Sequence, residues 1–204
     1  MNIFQSYTRR TQTSRLSKHD EFGLGLMHYA AIFNRPLIVS SLVLLTIDCN
    51  IKQQIDYVAH GPLPLHYAAR CGSLDTLSCL ISNFANITFT DHEGWAPIHH
   101  ACYFDNVHAI KLFVRKQPEL LEITTRSSSR KTPILIAALS GSLEAVKCCI
   151  ELGANLSFHD EEGYNLIHLA AQKYDLKFHI NLNTKFTFNK IIKKETIQTL
   201  LIFL

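Results

Sequence analysis

DHEGWAPIHHACYFDN, residues 91–106, decides the fold. Its core, APIHHAC ending at Cys102, recurs as LMHYAA ending at Ala31, LPLHYAA at Ala69, TPILIAA at Ala138 and NLIHLAA at Ala171. The shared anchor is His28, His66, His99, Leu135 and His168, at steps of 38, 33, 36 and 33 residues. A glycine stands five positions ahead of it at Gly23, Gly61, Gly94 and Gly163, and only the fourth copy, with Arg130, lacks one. Behind the anchor, apolar residues recur at helical spacing: Leu74, Leu77, Leu80; Val107, Ile110, Phe113; Leu143, Val146, Cys149. Such stepping makes one apolar helix face. Each unit therefore reads as a short helix, a tight turn, a second helix and a connecting loop. Fixed-period self-similarity of this kind marks a repeat architecture.

The residues at fixed register have physical reasons. Pro64, Pro97 and Pro133 stand where a helix starts, where a missing N–H costs nothing and a fixed φ helps. Paired alanines (Ala30–Ala31, Ala68–Ala69, Ala137–Ala138, Ala170–Ala171) let neighbouring helices approach closely. Six positions after the anchor come Asn34, Gly72, Asp105, Gly141 and Tyr174. The first four tolerate the left-handed conformation that ends a helix, so a regular turn is expected in units one to four and not at Tyr174.

The units resemble ankyrin repeats, with DHEGWAPIHHACYFDN from Asp91, DEEGYNLIHLAA from Asp160 and the linking LGANLSFHDEEG carrying the pattern. The resemblance implies an all-α ankyrin-repeat solenoid of about five helix–turn–helix units with β-hairpin-like loops. It covers residues 20–182, in units of about 20–55, 58–90, 91–126, 127–159 and 160–182. It implies that His28, His66, His99 and His168 are structural, bridging backbone groups of adjacent loops, and that Gly72 and Gly141 end helices. It further implies a protein partner on a concave face. The candidate partner-binding residues carried over are Phe33, His60, Arg70, His92, Glu93, Trp95, Tyr103, Phe104, Glu161, Glu162, Tyr164 and Gln172. Trp95 is expected to face the surface, whereas Phe33 and Phe104 could equally pack on adjacent units. Aromatic side chains dominate binding energy at protein interfaces.

Composition narrows function further. With 204 residues, 47% hydrophobic and 18% charged, the chain is neither a disordered polyelectrolyte nor a collagen-like sequence. Net charge is +3, but residues 1–19 hold +4, residues 183–204 hold +3 and the body between holds −4. A nucleic-acid groove would place basic charge on the body. No nucleic acid is therefore expected, nor a small-molecule substrate, nor a membrane span, since no apolar run nears the ~20 residues required. The six cysteines form no CxxC pair and read as small buried hydrophobes in a reducing compartment. His92, His99, His100, Cys102 and His108 lack paired zinc-ligand spacing, so neither a metal nor a cofactor is expected. Nucleotide-loop, HExxH and GxSxG motifs are missing, and the chain is read as non-catalytic. Asp91, Glu93, Glu161 and Glu162 read as solvated charge on exposed loop tips.

Residues 1–19 read as a basic flexible arm, although their Arg/Ser/Thr bias is shared with mitochondrial presequences. Residues 183–204 read as an apolar tail that either caps the last unit or is left as an appendage. Cytoplasm is the expected location, with the nucleus open. Two other functions fit the pattern: a structural spacer in a larger scaffold, and a substrate-recognition adaptor of a ubiquitin ligase. The adaptor needs a leucine–cysteine box, and the tail KIIKKETIQTLLIFL has the leucines without the cysteine.

Overall fold

The computed structural model describes residues 20–47, 63–83 and 85–172. The basic arm, the enlarged loop after unit one, His60, Tyr174 and the apolar tail lie outside the described residues. The described residues hold helices and no strand. They fall in two compact units, residues 1–101 and 102–204.

In the first unit, α1 (Leu26–Ile32) and α2 (Pro36–Ile47) form one pair and α3 (Pro64–Cys71) and α4 (Leu74–Ser82) the next. First helix lies on first helix and second on second, α1 on α3 and α2 on α4. Helix α5 (Pro97–Tyr103) opens the third repeat. The second unit contains α6 (Val107–Lys116), a 3-10 turn (Pro118–Glu122), α7 (Pro133–Ser140), α8 (Leu143–Glu151) and α9 (Leu166–Gln172). There α6 packs on α8, and α7 on α9.

Proline opens α3, α5 and α7, as the register predicts, and Pro36 opens α2. The turns after the first helices are left-handed where expected: φ is 50° at Asn34, 69° at Gly72, 59° at Asp105 and 81° at Gly141. After three of them the next N–H returns to the helix: Arg35 to Ala30 at 2.8 Å, Ser73 to Ala68 at 3.0 Å and Ser142 to Ala137 at 2.9 Å. These bonds satisfy carbonyls that a helix end leaves without a partner. The paired alanines of α1, α3 and α7 are buried, which is what allows the helices to approach. Leu77 and Leu80 fill the first core, and Phe113, Ile110 and Val146 the second. Each such side chain contributes about 1.5–3 kcal/mol by leaving water.

One expectation is corrected. Cys102, Cys148 and Cys149 are buried, but Cys71 is exposed and Cys79 half-buried. Cys71 is the last residue of α3, five positions after the anchor His66 and next to the left-handed turn at Gly72, a position outside the apolar set of the repeat.

Candidate functional site

The anchor histidines sit at the third position of their helices. Each Nδ1 accepts the backbone N–H of its own helix cap: Gly25 to His28 at 3.0 Å, Leu63 to His66 at 3.2 Å, Ala96 to His99 at 3.0 Å and Asn165 to His168 at 3.2 Å. This is the reach-back half of a capping box, made by imidazole in place of a carboxylate. In His66, with Nδ1 accepting, the proton lies on Nε2, and that N–H donates to the Trp95 carbonyl at 3.0 Å in the following loop. Burial, reinforced by the neighbouring His100, lowers the His66 pKa to about 4 and keeps the ring neutral.

The loop aspartates hold the fingers in shape. Asp91 N–H donates to the Trp95 carbonyl at 2.9 Å, while its Oδ1 accepts the N–H groups of Glu93 at 3.0 Å and Trp95 at 2.9 Å. Asp20 repeats the arrangement with Leu24 and Phe22, and Asp160 with Tyr164. The second carboxylate oxygen holds a side chain: Tyr29 on Asp20, His100 on Asp91 at 2.7 Å and Lys131 on Asp160 at 2.7 Å. Burial alone would raise the Asp91 pKa, but the hydrogen bonds from His100 and the Trp95 N–H outweigh it and hold the pKa below the ordinary value. Asp91 is therefore not solvated charge on a loop tip. It is buried, and the reason is the row of backbone N–H groups it satisfies.

The loop acids of unit five are also engaged. Lys131 reaches Asp160 and, at 2.8 Å, Glu162, while Arg130 meets Glu161 at 3.2 Å. Lys131 and Asp160 are nearly buried, with side chains 11% and 0% exposed; Arg130 and Glu161 are open, at 60% and 55%. Glu161 and Glu162 are exposed, as expected of loop-tip acids, and each in addition carries one ion pair, to Arg130 and to Lys131.

The candidate partner-binding residues divide as follows. In the first unit Phe33 and Arg70 are exposed, and Phe33 stacks on Tyr29 with centroids 6.4 Å apart. His92 and Glu93 are exposed at the tip of the third loop. Trp95 is half-buried, its indole 5.3 Å from the His100 ring. In the second unit Tyr103 and Phe104 are each 40% exposed and contact one another edge to face at 5.0 Å. Tyr164 is exposed beside His168. Gln172 ends α9.

A match to a family model described as ankyrin repeats, three copies, covers residues 27–125. The chain belongs to the ankyrin repeat family. It is 36% identical over 184 residues to the ankyrin and armadillo repeat-containing protein of Homo sapiens, an alignment covering 89% of this chain and 13% of that protein. The Mus musculus counterpart is 34% identical over 196 residues, with the same coverage. Rabankyrin-5 of Mus musculus is 28% identical over 118 residues, 57% of this chain and 10% of that protein. The chain thus spans about 13% of the length of the first two relatives. Ankyrin repeats are in general protein–protein interaction modules. Among the described residues, no helix is long and apolar enough to cross a membrane, and no cluster of His, Cys, Asp or Glu could hold a metal ion.

One surface escapes a reading based on the repeat pattern alone. Phe22, Phe33, Leu37 and Leu44 of the first repeat are strongly exposed, Leu37 at 81%. The register held the signal: Leu37 stands where later repeats have Asp75, His108 and Glu144, and Leu44 where they have Ser82, Arg115 and Glu151.

Proposed function

We propose that this ankyrin-repeat chain is a docking module that binds a protein partner through loop tips and first-helix ends, with no chemistry of its own. The observation that carries this reading is the Tyr103–Phe104 pair. Two large rings meet edge to face at the surface, each with 40% of its residue still open to solvent, and large rigid aromatics give contact area at little entropic cost. Phe33, Arg70, His92, Glu93, Trp95 and Tyr164 are the other contact candidates. The loop acids Glu161 and Glu162 contribute by fixing the fifth finger through Arg130 and Lys131, leaving part of each carboxylate to solvent. The rigid loops favour this reading too, since fingers already held by buried aspartates lose little freedom on binding.

The test compares affinity capture by the full chain with capture by a Tyr103→Ala/Phe104→Ala double variant. A partner identified with the wild type should be lost with the variant while far-UV circular dichroism is unchanged. Capture at wild-type level by the variant refutes the assignment.

A further inference from the structure

The fourth loop departs from its sisters in three ways that together describe an anion site. In the other described loops an aspartate closes the turn against the residue four positions on. Here Thr125 takes over: its N–H donates to the Lys131 carbonyl at 2.9 Å, and its Oγ1 accepts the Lys131 N–H at 3.0 Å. A neutral hydroxyl has replaced a carboxylate, and the loop is two residues longer. Second, Arg130 occupies the position that is Gly23, Gly94 and Gly163 elsewhere, and it keeps the left-handed backbone with φ 45°. A side chain there costs about 1 kcal/mol, and strain of this kind gathers at functional positions. Third, residues 123–143 contain Arg126, Arg130 and Lys131 and no acid, within a body of net negative charge.

These features converge on one open depression of about 420 Å3, lined by Thr124, Thr125, Arg126, Ser127, Ser128 and Arg130. Arg126 is exposed and makes no ion pair among the described residues. The hydroxyls of Thr125, Ser127 and Ser129 form a chain at 2.9 and 3.1 Å, which uses two of their three protons and leaves one to turn toward an acceptor. Glu161 closes one side and holds Arg130. Two guanidinium groups and a row of hydroxyls suit a tetrahedral oxyanion with three acceptor oxygens better than a planar carboxylate, which Arg130 already has in Glu161.

Resting on the docking function proposed above, we propose that this depression takes a phosphorylated side chain of the partner polypeptide. The phosphoryl group lies between Arg126 and Arg130 and displaces Glu161 from Arg130. Glu161 thus acts as a built-in competitor that an uncharged serine on the partner cannot dislodge.

The test titrates a short phosphoserine peptide into the full chain and follows backbone amide chemical shifts. The same peptide without phosphate and inorganic phosphate alone are the comparison probes. The phosphopeptide should shift the amides of residues 124–130, and the unphosphorylated peptide should not. Arg126→Ala should weaken binding about tenfold, a loss typical of one charge-assisted contact. Glu161→Gln should strengthen it severalfold, whereas Arg115→Ala, removing an exposed charge on α6, should leave it unchanged. Equal weakening by Arg115→Ala, or no effect of Glu161→Gln, overturns the site in favour of diffuse attraction. Inorganic phosphate binding as tightly as the peptide overturns the polypeptide ligand. If the phosphopeptide fails while the Tyr103/Phe104 variant still loses its partner, the anion site falls and the docking function stands.

Discussion

Asp105, in the turn between the two helices of the third repeat, caps a helix of the fourth: its Oδ1 accepts the backbone N–H of Ala145 at 2.6 Å, forty residues along the chain. Asn34 does the same for Thr76 at 3.1 Å. Each lies in the left-handed turn after a first helix and caps the third residue of the second helix in the following repeat. Ser142 and Ser73, at the caps of those same helices, donate back to the carbonyls of Tyr103 at 2.8 Å and Ile32 at 3.4 Å. Repeats one and two, and repeats three and four, are therefore joined by reciprocal polar bonds as well as apolar contact.

Asp105→Ala should cost about 2 kcal/mol in denaturant unfolding, since it loses a helix cap and keeps a side chain at positive φ. Asp105→Gly should cost about half that, because glycine relieves the backbone while the cap is still lost. A glycine variant less stable than the alanine variant contradicts this account.

Stability should fall on mild acidification because of His66. Its pKa is about 4 when folded, against 6.5 for the free side chain. Below 6.5 the unfolded chain takes up a proton that the folded one refuses. The contribution is thus fully present above pH 6.5, is lost as pH falls toward 4, and levels off below it. The loss is on the order of 3 kcal/mol. Unfolding free energies measured between pH 7.5 and 4 should slope for the wild type and flatten for His66→Gln. Asp91, whose pKa is lowered, adds a further loss only below its ordinary value of 3.8.

The two ion pairs of the fourth and fifth loops should differ in weight. Lys131→Met leaves the Asp160 carboxylate buried without its cation and should cost about 3 kcal/mol. Arg130→Ala removes only an exposed pair to Glu161 and should cost under about 1 kcal/mol through that contact. Double-mutant cycles for Lys131/Asp160 and Arg130/Glu161 check the contrast.

Thiol reactivity should report the core. Among the described cysteines Cys71 is exposed, whereas Cys102 and Cys149 lie buried with sulfurs 3.9 Å apart. Burial also pushes the Cys148 thiol up to about 11. Native-state alkylation followed by peptide mapping should modify Cys71 first, and 102, 148 and 149 only on unfolding. Early labelling of Cys149 would contradict the packing.

Much of the fold was legible because the repeat places the same demand on the same position several times. The anchor histidine, the proline helix starts and the left-handed Asn34, Gly72, Asp105 and Gly141 all follow from local backbone rules. The site was less legible. Asp91 and Asp160 look like surface acids in a string of letters, since their burial arises from N–H groups that converge only once the turn is folded. His100 next to His99 gives no hint that one ring caps a helix and the other holds an aspartate. The fourth loop was visible only as a missing glycine, and its Thr125 replacement emerges once the hydrogen bonds show a longer hairpin.

The reciprocal bonds alternate along the chain: Asn34 and Asp105 carry a side chain at the turn, Gly72 and Gly141 do not. A gene rearrangement that cut out the third repeat alone would bring Gly72 against the helix that starts at Leu143, and Ala145 would lose its acceptor. Removing the second and third together would instead set Asn34 in that place, with a side-chain oxygen ready to replace the lost carboxylate. The modular currency of this chain is then the pair, and duplications or deletions that persist should come in even numbers.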